Sequence, residues 1–337
     1  RREGLSRKEF LLKAAKISGM YVPRFYRTTY HADGTIESFQ PTEPGVPTTI
    51  LKEIVMDVTD SFYPMKPVVP FIKVTQDRVV LEIQRGCIRG CRFCQAGQLY
   101  RPVRERSVDT LKKWALEMLK NTGHEEISLS SLSSSDYTNL EGIVNFLIDE
   151  FHGKGVNVSL PSLRIDAFSL DVMSKVQDVK KSSLTFAPEA GSQRLRDVIN
   201  KGLTEEIILE GAGQAFEGGW NNVKLYFMLG LPTETDEDVL GIAELVYKVI
   251  LTWKEHAVNK KRGLRVHVAT AYFVPKPHTP FQWEQQITPQ EYLRRCRLLK
   301  SHFYSKSIEY DYHAPDLSQL EAVFARGDRR LGSVIEE

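Results

Sequence analysis

The feature that most restricts the fold is a regular alternation of strand and helix patterns that begins at Arg78. Short runs rich in β-branched and aromatic residues predict six strands, and segments with helical spacing of apolar residues lie between them. The predicted strands cover residues 79–83, 127–129, 156–160, 183–186, 223–229 and 266–273. This alternation predicts an α/β fold whose parallel sheet is either doubly wound or bent into a barrel.

Capping residues set the predicted starts of the clearest helices. Ser107 precedes one helical face, and Thr233 or Thr235 precedes a helix at about 236–253. In both layouts of a parallel α/β sheet, the active site lies at the C-terminal ends of the strands. We therefore expect functional side chains in the loops that follow the strands.

Residues before the alternation have a different character. Ser6 and Glu9 have the spacing of a capping box and predict a short N-terminal helix. Prolines interrupt residues 20–74, so we expect an irregular linker with a short strand at 54–58. The chain begins with Arg1 rather than methionine, which suggests a processed chain or a piece of a longer one.

Three of the four cysteines lie within eight residues, directly after the first predicted strand. They are Cys87, Cys91 and Cys94. Cysteine thiolates hold iron–sulfur clusters, and three of them can ligate three irons of a four-iron cluster, which leaves one iron open. Zinc prefers four ligands in paired C-x2-C units, and a disulfide would leave one of the three thiols over. We therefore favour a cluster over zinc or a disulfide, and Cys296 has no thiol near it in the sequence.

Composition excludes several classes of protein. The 45 basic and 43 acidic residues give a net charge of +2, so nothing global demands nucleic acid or an anionic membrane. No apolar run approaches the roughly 20 residues of a membrane span, and no secretory signal opens the chain. We therefore expect a cytoplasmic protein with no membrane partner.

The cysteine spacing, with Phe93 before the last cysteine, resembles the signature of the radical S-adenosylmethionine (SAM) enzymes. This resemblance implies a partial (β/α)6 TIM-like barrel and a 4Fe-4S cluster on Cys87, Cys91 and Cys94. The open iron then binds SAM, and an electron from an external low-potential donor cleaves SAM to methionine and a 5′-deoxyadenosyl radical. The resemblance also implies that Phe93 packs near the adenine.

The same resemblance suggests further cofactor-binding residues after the other strands. Gly230 and Pro232 match the family's Gly-x-Pro motif at the adenine, although the pattern is also that of an ordinary strand-to-helix turn. Glu189 matches a position that reaches the SAM ribose, and Arg164 is a candidate for the SAM carboxylate. A surface carboxylate and a solvated arginine are the alternatives for these two residues. The serine-rich segment 128–137 departs from the family's loop for the SAM amino group, so no residue there is assigned.

Six arginines cluster around the cysteines and allow two interpretations. They offset the charge of a cluster and admit an anionic substrate, or they are solvated surface residues. They are Arg85, Arg89, Arg92, Arg101, Arg104 and Arg106.

Several segments together resemble an uncharacterised bacterial family of cobalamin-domain radical SAM proteins: "YVPRFY", "APEAGSQRLRDVINKG", "FMLGLPTETDED", "VPKPHTPFQW" and "LEAVFARGDRRLG". The cobalamin-binding domain of that family has no counterpart in this sequence, so cobalamin is not implied. We expect residues 1–75 to be an N-terminal helix and linker from a preceding domain, 76–310 the radical SAM core, and 311–337 a C-terminal helical extension.

The substrate is the least determined part of the prediction. The resemblance to methylthiotransferases suggests methyl or methylthio transfer to RNA or a ribosomal component, and a carbon-skeleton or oxidative reaction on a small molecule fits equally well on physical grounds. Methylthio transfer usually needs a second cluster, which Cys296 alone does not supply. The alternative class is a non-catalytic iron–sulfur protein for electron transfer or sensing.

Overall fold

A computed structural model describes residues 4–59, 61–72, 74–151, 153–159 and 184–337. The described chain divides into two compact units, with the division between residues 58 and 59. The first unit contains α1 (Arg7–Ala15) and an antiparallel hairpin of β1 (Tyr26–Tyr30) and β2 (Ile36–Pro41). Ser6 and Glu9 cap α1 reciprocally, which confirms the predicted capping box.

The predicted strand at 54–58 is wrong, because the structure is irregular there. Val55 and Met56 are 60% and 66% exposed. Of residues 54–58 only Val58 is buried, so a strand here would gain little from its apolar side chains, and no neighbouring strand pairs with this segment among the described residues.

The second unit alternates strands and helices, as predicted. Its strands are β3 (Val79–Glu82), β4 (Gln84–Arg85), β5 (Arg104–Glu105), β6 (Glu126–Ser130), β7 (Asn157–Ser159), β8 (Leu184–Glu189), β9 (Asn222–Leu229), β10 (Arg265–Tyr272) and β11 (Ile308–Tyr312). Its helices are α2 (Gln95–Leu99), α3 (Val108–Thr122), α4 (Leu140–Phe151), α5 (Gln193–Val198), α6 (Glu205–Glu217), α7 (Asp236–His256), α8 (Pro289–Lys300), α9 (Pro315–Arg326) and α10 (Gly332–Glu336).

Two parallel sheets organise this unit. One has the order β3-β6-β7 and the other β11-β10-β9-β8, with every neighbouring pair parallel. These strands confirm the predicted α/β class and parallel direction. Within the described ranges the strands form sheets of three and four rather than a closed barrel.

Helices pack against one face of each sheet and form two hydrophobic cores. Helices α6, α7 and α8 cover the four-stranded sheet, and α3 and α4 cover the three-stranded sheet. Ser107 caps α3, and Thr235 precedes α7 with its N–H bonded to Asp238, as the sequence predicted. This packing leaves the C-terminal ends of the strands for the loops that carry the cysteines and the Gly-x-Pro turn.

The C-terminal region contains one strand that the sequence analysis missed. Strand β11 pairs with β10 from Val266↔Ile308 to Thr270↔Tyr312. Ser318 and Glu321 have the sequence spacing of a capping box, but they lie inside α9, which begins at Pro315, and Ser318 is buried in its first turn.

Candidate metal centre

The loop that carries the three cysteines follows β3 and is closed at its base. Strands β4 and β5 pair antiparallel on either side of it. The Arg106 N–H then donates to the Ile83 carbonyl at 2.9 Å. Residues 86–103 therefore form a closed loop beyond the C-terminal end of β3, where parallel α/β folds place their chemistry.

Backbone N–H groups donate to two of the loop's sulfur atoms. The Arg89 N–H donates to Cys87 Sγ at 3.4 Å, and the Gly97 N–H to Cys94 Sγ at 3.3 Å. Cys87 and Cys94 are partly exposed, Cys91 is buried, and all three are reduced thiols. Hydrogen bonds to the sulfurs are one of the means by which proteins stabilise and tune iron–sulfur clusters. The donor set therefore fits a cluster held by three thiolates.

The end of helix α5 holds the cysteine loop from outside. The Asn200 side-chain amide donates to the Gly90 carbonyl at 2.9 Å. The Arg92 N–H donates to the Ile199 carbonyl at 2.9 Å, and its guanidinium donates to the Val198 carbonyl at 2.6 Å. These contacts bridge about a hundred residues of sequence and fix the backbone between the first and last cysteine.

The six arginines near the cysteines all have partners within the protein. Two of them, Arg85 and Arg106, bind the Glu82 carboxylate at 2.8 Å, and Arg89 pairs with Asp136 at 2.5 Å. The other three donate to backbone carbonyls of the loop or of α5. These contacts indicate that the arginines hold the cysteine loop in place and do not favour a role in binding an anionic substrate.

Phe93 and Glu189, far apart in sequence, lie on either side of Lys201. Lys201 Nζ is 3.0 Å from a Glu189 carboxylate oxygen and 6.0 Å from the centroid of the Phe93 ring. The Lys201 and Glu189 side chains are only 10% and 16% exposed. Two predicted cofactor-binding residues are therefore brought together beside the cysteines, with a nearly buried ammonium between them.

A small hydrophobic cluster joins Phe93 to the ends of β8, β9 and β10. Phe93 and Met228 pack against its buried members, which are Ala190, Leu195, Ile199, Leu231, Phe273 and Phe281. Leu231 lies between the predicted residues Gly230 and Pro232, so the Gly-x-Pro turn borders the same cluster. Gly230 has a φ of 86°, which glycine adopts without the steric cost of a side chain.

Glu234, which the sequence analysis missed, holds the Gly-x-Pro turn in place. Its carboxylate accepts from the Gly230 N–H at 2.7 Å and binds the Arg295 guanidinium at 2.5 Å. The Glu234 side chain is 1% exposed, and burial raises its pKa to about 7 against the opposing effects of Gly230 and Arg295. The sequence shows only a glutamate within the turn. Its role was not predictable because its partner, Arg295, lies on α8, 61 residues away.

A cavity of about 430 Å³ lies on the other side of the cysteine loop. It is lined by Glu82, Gln84, Arg85, Gly86, Tyr100, Ser130, Ser131 and Leu132. Gln84 is 2% exposed. Its amide nitrogen donates to the Ser133 carbonyl, and its amide oxygen has no hydrogen-bond partner among the described residues. A buried acceptor without a donor is costly, so the cavity suits a ligand that presents an N–H or O–H group.

Other motif residues have structural contacts or fall outside the described ranges. A Cβ on Gly191 would lie 2.1 Å from the Ile242 nitrogen, so this glycine permits close packing on α7. Arg194 pairs with Asp238 at the start of α7. Arg164 falls in the stretch 160–183, which lies outside the described residues.

In the parts of the chain that the structure describes, no three histidine, cysteine or carboxylate side chains converge on one metal ion. Among the described helices, none has the length and apolar character needed to cross a membrane.

Two relatives from Methanocaldococcus jannaschii resemble the chain. One, an uncharacterised protein, is 35% identical over 257 residues, which are 76% of this chain and 54% of the relative. The other is named as a proposed methylthiotransferase and is 26% identical over 170 residues, which are 48% of this chain and 37% of the relative. The chain thus spans about half the length of the first relative and less of the second.

One solved structure and one family profile also match the chain. The structure of the cobalamin-dependent SAM radical enzyme OxsB, with aqua-cobalamin and SAM bound, gives a TM-score of 0.48 at 13% identity, and covers 79% of this chain and 41% of that one. The profile of the radical SAM superfamily matches residues 81–246, a range that includes all three clustered cysteines. Residues 81–246 are therefore a radical SAM domain, and members of that superfamily use a 4Fe-4S cluster and SAM.

Proposed function

We propose that this chain holds a 4Fe-4S cluster on Cys87, Cys91 and Cys94 and uses it to cleave SAM reductively. The observation that carries the proposal is one closed loop, beyond the end of β3, that holds three thiols and donates backbone N–H groups to two of them. The remaining cysteine, Cys296, is 1% exposed in the core under α8. When bound and reduced by an external low-potential donor, the cluster supplies the electron that converts SAM to methionine and a 5′-deoxyadenosyl radical.

The residues around the thiols provide a rigid and dry setting for this chemistry. Asn200 and Arg92 fix the loop backbone through carbonyl and N–H contacts with Gly90 and the end of α5. The hydrophobic cluster beside Phe93 excludes water from one side of the loop. Exclusion of water protects reactive intermediates and strengthens every electrostatic contact in the site.

Three groups of residues are proposed to bind SAM. Phe93 with the Gly230–Pro232 turn borders the adenine, and Glu189 accepts hydrogen bonds from the ribose hydroxyls. Lys201 meets the methionine carboxylate, a role that Arg164 was also expected to fill. The cavity with the Gln84 amide oxygen and the Ser130 and Ser131 hydroxyls offers acceptors for the amino group.

Lys201→Met is expected to weaken SAM binding by about tenfold or more. A charge-assisted hydrogen bond contributes roughly 1.5–3 kcal/mol, and each 1.4 kcal/mol is a factor of ten in affinity. Equilibrium dialysis of SAM against cluster-loaded protein measures the effect, with the exposed Lys254→Met as the matched control. Unchanged SAM affinity in Lys201→Met would remove this lysine from the proposed site.

For the substrate, we propose methyl or methylthio transfer to RNA or a ribosomal component. The similarity to the proposed methylthiotransferase supports this class.

The decisive experiment gives SAM and a strong reductant to anaerobically reconstituted protein. Release of 5′-deoxyadenosine and methionine is the expected result. A stable, redox-active cluster that releases neither product would contradict the proposal and identify a non-catalytic electron-transfer or sensing protein instead.

A further inference from the structure

The four-stranded sheet buries one face against the helices. The opposite face, which we call the polar face, carries Lys224, Tyr226, Arg265 and His267 beside the apolar Met228, Ala269 and Ala271. Along β9, Val223, Leu225, Phe227 and Leu229 are buried against the helices, and the alternate residues face the other way. The same alternation holds on β10. Parallel sheets are usually covered on both faces and read as continuous apolar runs. The charged and polar side chains on one face of this sheet depart from that pattern and are candidates for contacts with a ligand.

Neighbouring positions on this polar face carry polar groups that lack a partner. Lys224 on β9 is in register with His267 on β10, and Tyr226 lies two residues further along β9. Among the described residues, the half-buried Lys224 forms no ion pair, and the hydroxyl of Tyr226, a residue that is 38% exposed, forms no protein hydrogen bond. These two groups supply one positive charge and one hydroxyl donor to the same patch.

His267 completes the patch through a partner on β11. Its Nε2 lies 2.8 Å from an Asp311 carboxylate oxygen, so an N–H there donates to Asp311. The His267 side chain is 21% exposed, and Glu309 on β11 is its register partner. Nδ1 is then left for a ligand, as an acceptor in the neutral ring or as a second donor in the protonated ring.

The patch continues towards the cysteine loop along β9. Met228, on the same face, packs against the hydrophobic cluster that also contacts Phe93. With a rise of about 3.3 Å per residue, Tyr226 and Lys224 lie roughly 7 and 13 Å from Met228 along the strand. The distance from the site beside the cysteines to Tyr226 and Lys224 is therefore about the length of a small molecule or a nucleotide.

We propose that Lys224, Tyr226 and His267 bind the acidic group of the substrate, a carboxylate or a phosphate. The proposal rests on the proposed function, because it assigns a class of substrate to the same site. An ammonium without a counter-ion gains most from an anion, and a tyrosine hydroxyl adds a directional donor. Among the described strand residues, the register places two acidic groups on this face near His267: Asp311, whose carboxylate accepts from the His267 N–H, and Glu309, which lies opposite His267 on β11.

The test titrates cluster-loaded protein calorimetrically with inorganic phosphate and, separately, with acetate. Wild-type protein is expected to bind at least one anion, with affinity reduced about tenfold or more in Lys224→Met and severalfold in Tyr226→Phe. Lys306→Met, which removes an exposed lysine outside the patch, is expected to bind as the wild type does. Phosphate binding without acetate binding would indicate a phosphate-bearing substrate, and the reverse would indicate a carboxylate.

Two results would overturn the assignment: neither anion binds the wild type, or Lys224→Met binds them as tightly as the wild type does. Circular dichroism of each variant shows whether it is folded, and Tyr226→Phe, which removes one oxygen atom, tests the patch with little change in packing. Release of 5′-deoxyadenosine by the same wild-type preparation without substrate reports the proposed function separately. A protein that cleaves SAM but binds no anion would therefore disprove this inference alone.

Discussion

Replacing Cys87, Cys91 or Cys94 with alanine, one at a time, is expected to abolish both cluster binding and SAM cleavage. Each thiolate would hold one iron, and the loop offers no other cysteine to take its place. Loss of one ligand leaves two thiolates, which do not hold a four-iron cluster whose fourth iron is already open. Iron and sulfide analysis, the visible absorption of the cluster and 5′-deoxyadenosine release together measure the effect.

Cys296→Ala is the matched control, because it makes the same substitution at a cysteine outside the loop. Cys296 is buried under α8, and burial raises the pKa of its thiol, which opposes formation of a metal-binding thiolate. This variant is expected to keep its cluster and its SAM cleavage, with a modest loss of stability. Retention of zinc without sulfide in the anaerobically purified wild type would contradict the cluster assignment for all three loop cysteines.

Features that depend on local sequence were predictable. The alternation of strands and helices, the caps at Ser107 and Thr235, and the position of the cysteine loop after the first strand all follow from nearby residues. Periodicity and capping act over a few residues, so a single sequence contains the information. The same reasoning failed at 54–58, where apolar residues suggested a strand but no strand in the described part of the chain pairs with them.

Features that depend on contacts between distant segments were not predictable. Asn200 reaches Gly90 across 110 residues, and Glu234 finds Arg295 across 61. Nothing in either local pattern names the partner, because tertiary packing selects it. Lys224 was overlooked for a related reason: its significance lies in its place on the polar face of a sheet, which the strand pattern alone does not reveal.

Glu234→Ala is expected to destabilise the protein by about 3–5 kcal/mol, the usual cost of breaking a buried ion pair by removing one partner. The change would leave the buried Gly230 N–H without its acceptor and Arg295 with Glu291 as its remaining carboxylate partner. Because Glu234 connects the Gly-x-Pro turn to α8, SAM affinity is expected to fall as well. Urea denaturation measures the first effect and equilibrium dialysis of SAM the second.

Glu234→Gln separates the charge of this side chain from its hydrogen bonds, since the amide oxygen still accepts from Gly230. Burial raises the pKa of the folded-state carboxyl from 4.5 to about 7. Its contribution to stability is therefore fully present below about pH 4.5 and is lost as the pH rises through 7, because the unfolded chain releases the proton first. Relative to Glu234→Gln, the wild type is expected to lose up to about 1.4 kcal/mol per pH unit across this window. Urea denaturation of both proteins between pH 5.5 and 8 tests the sign, and a difference that stays constant or grows with pH would show that Arg295 keeps Glu234 ionised throughout.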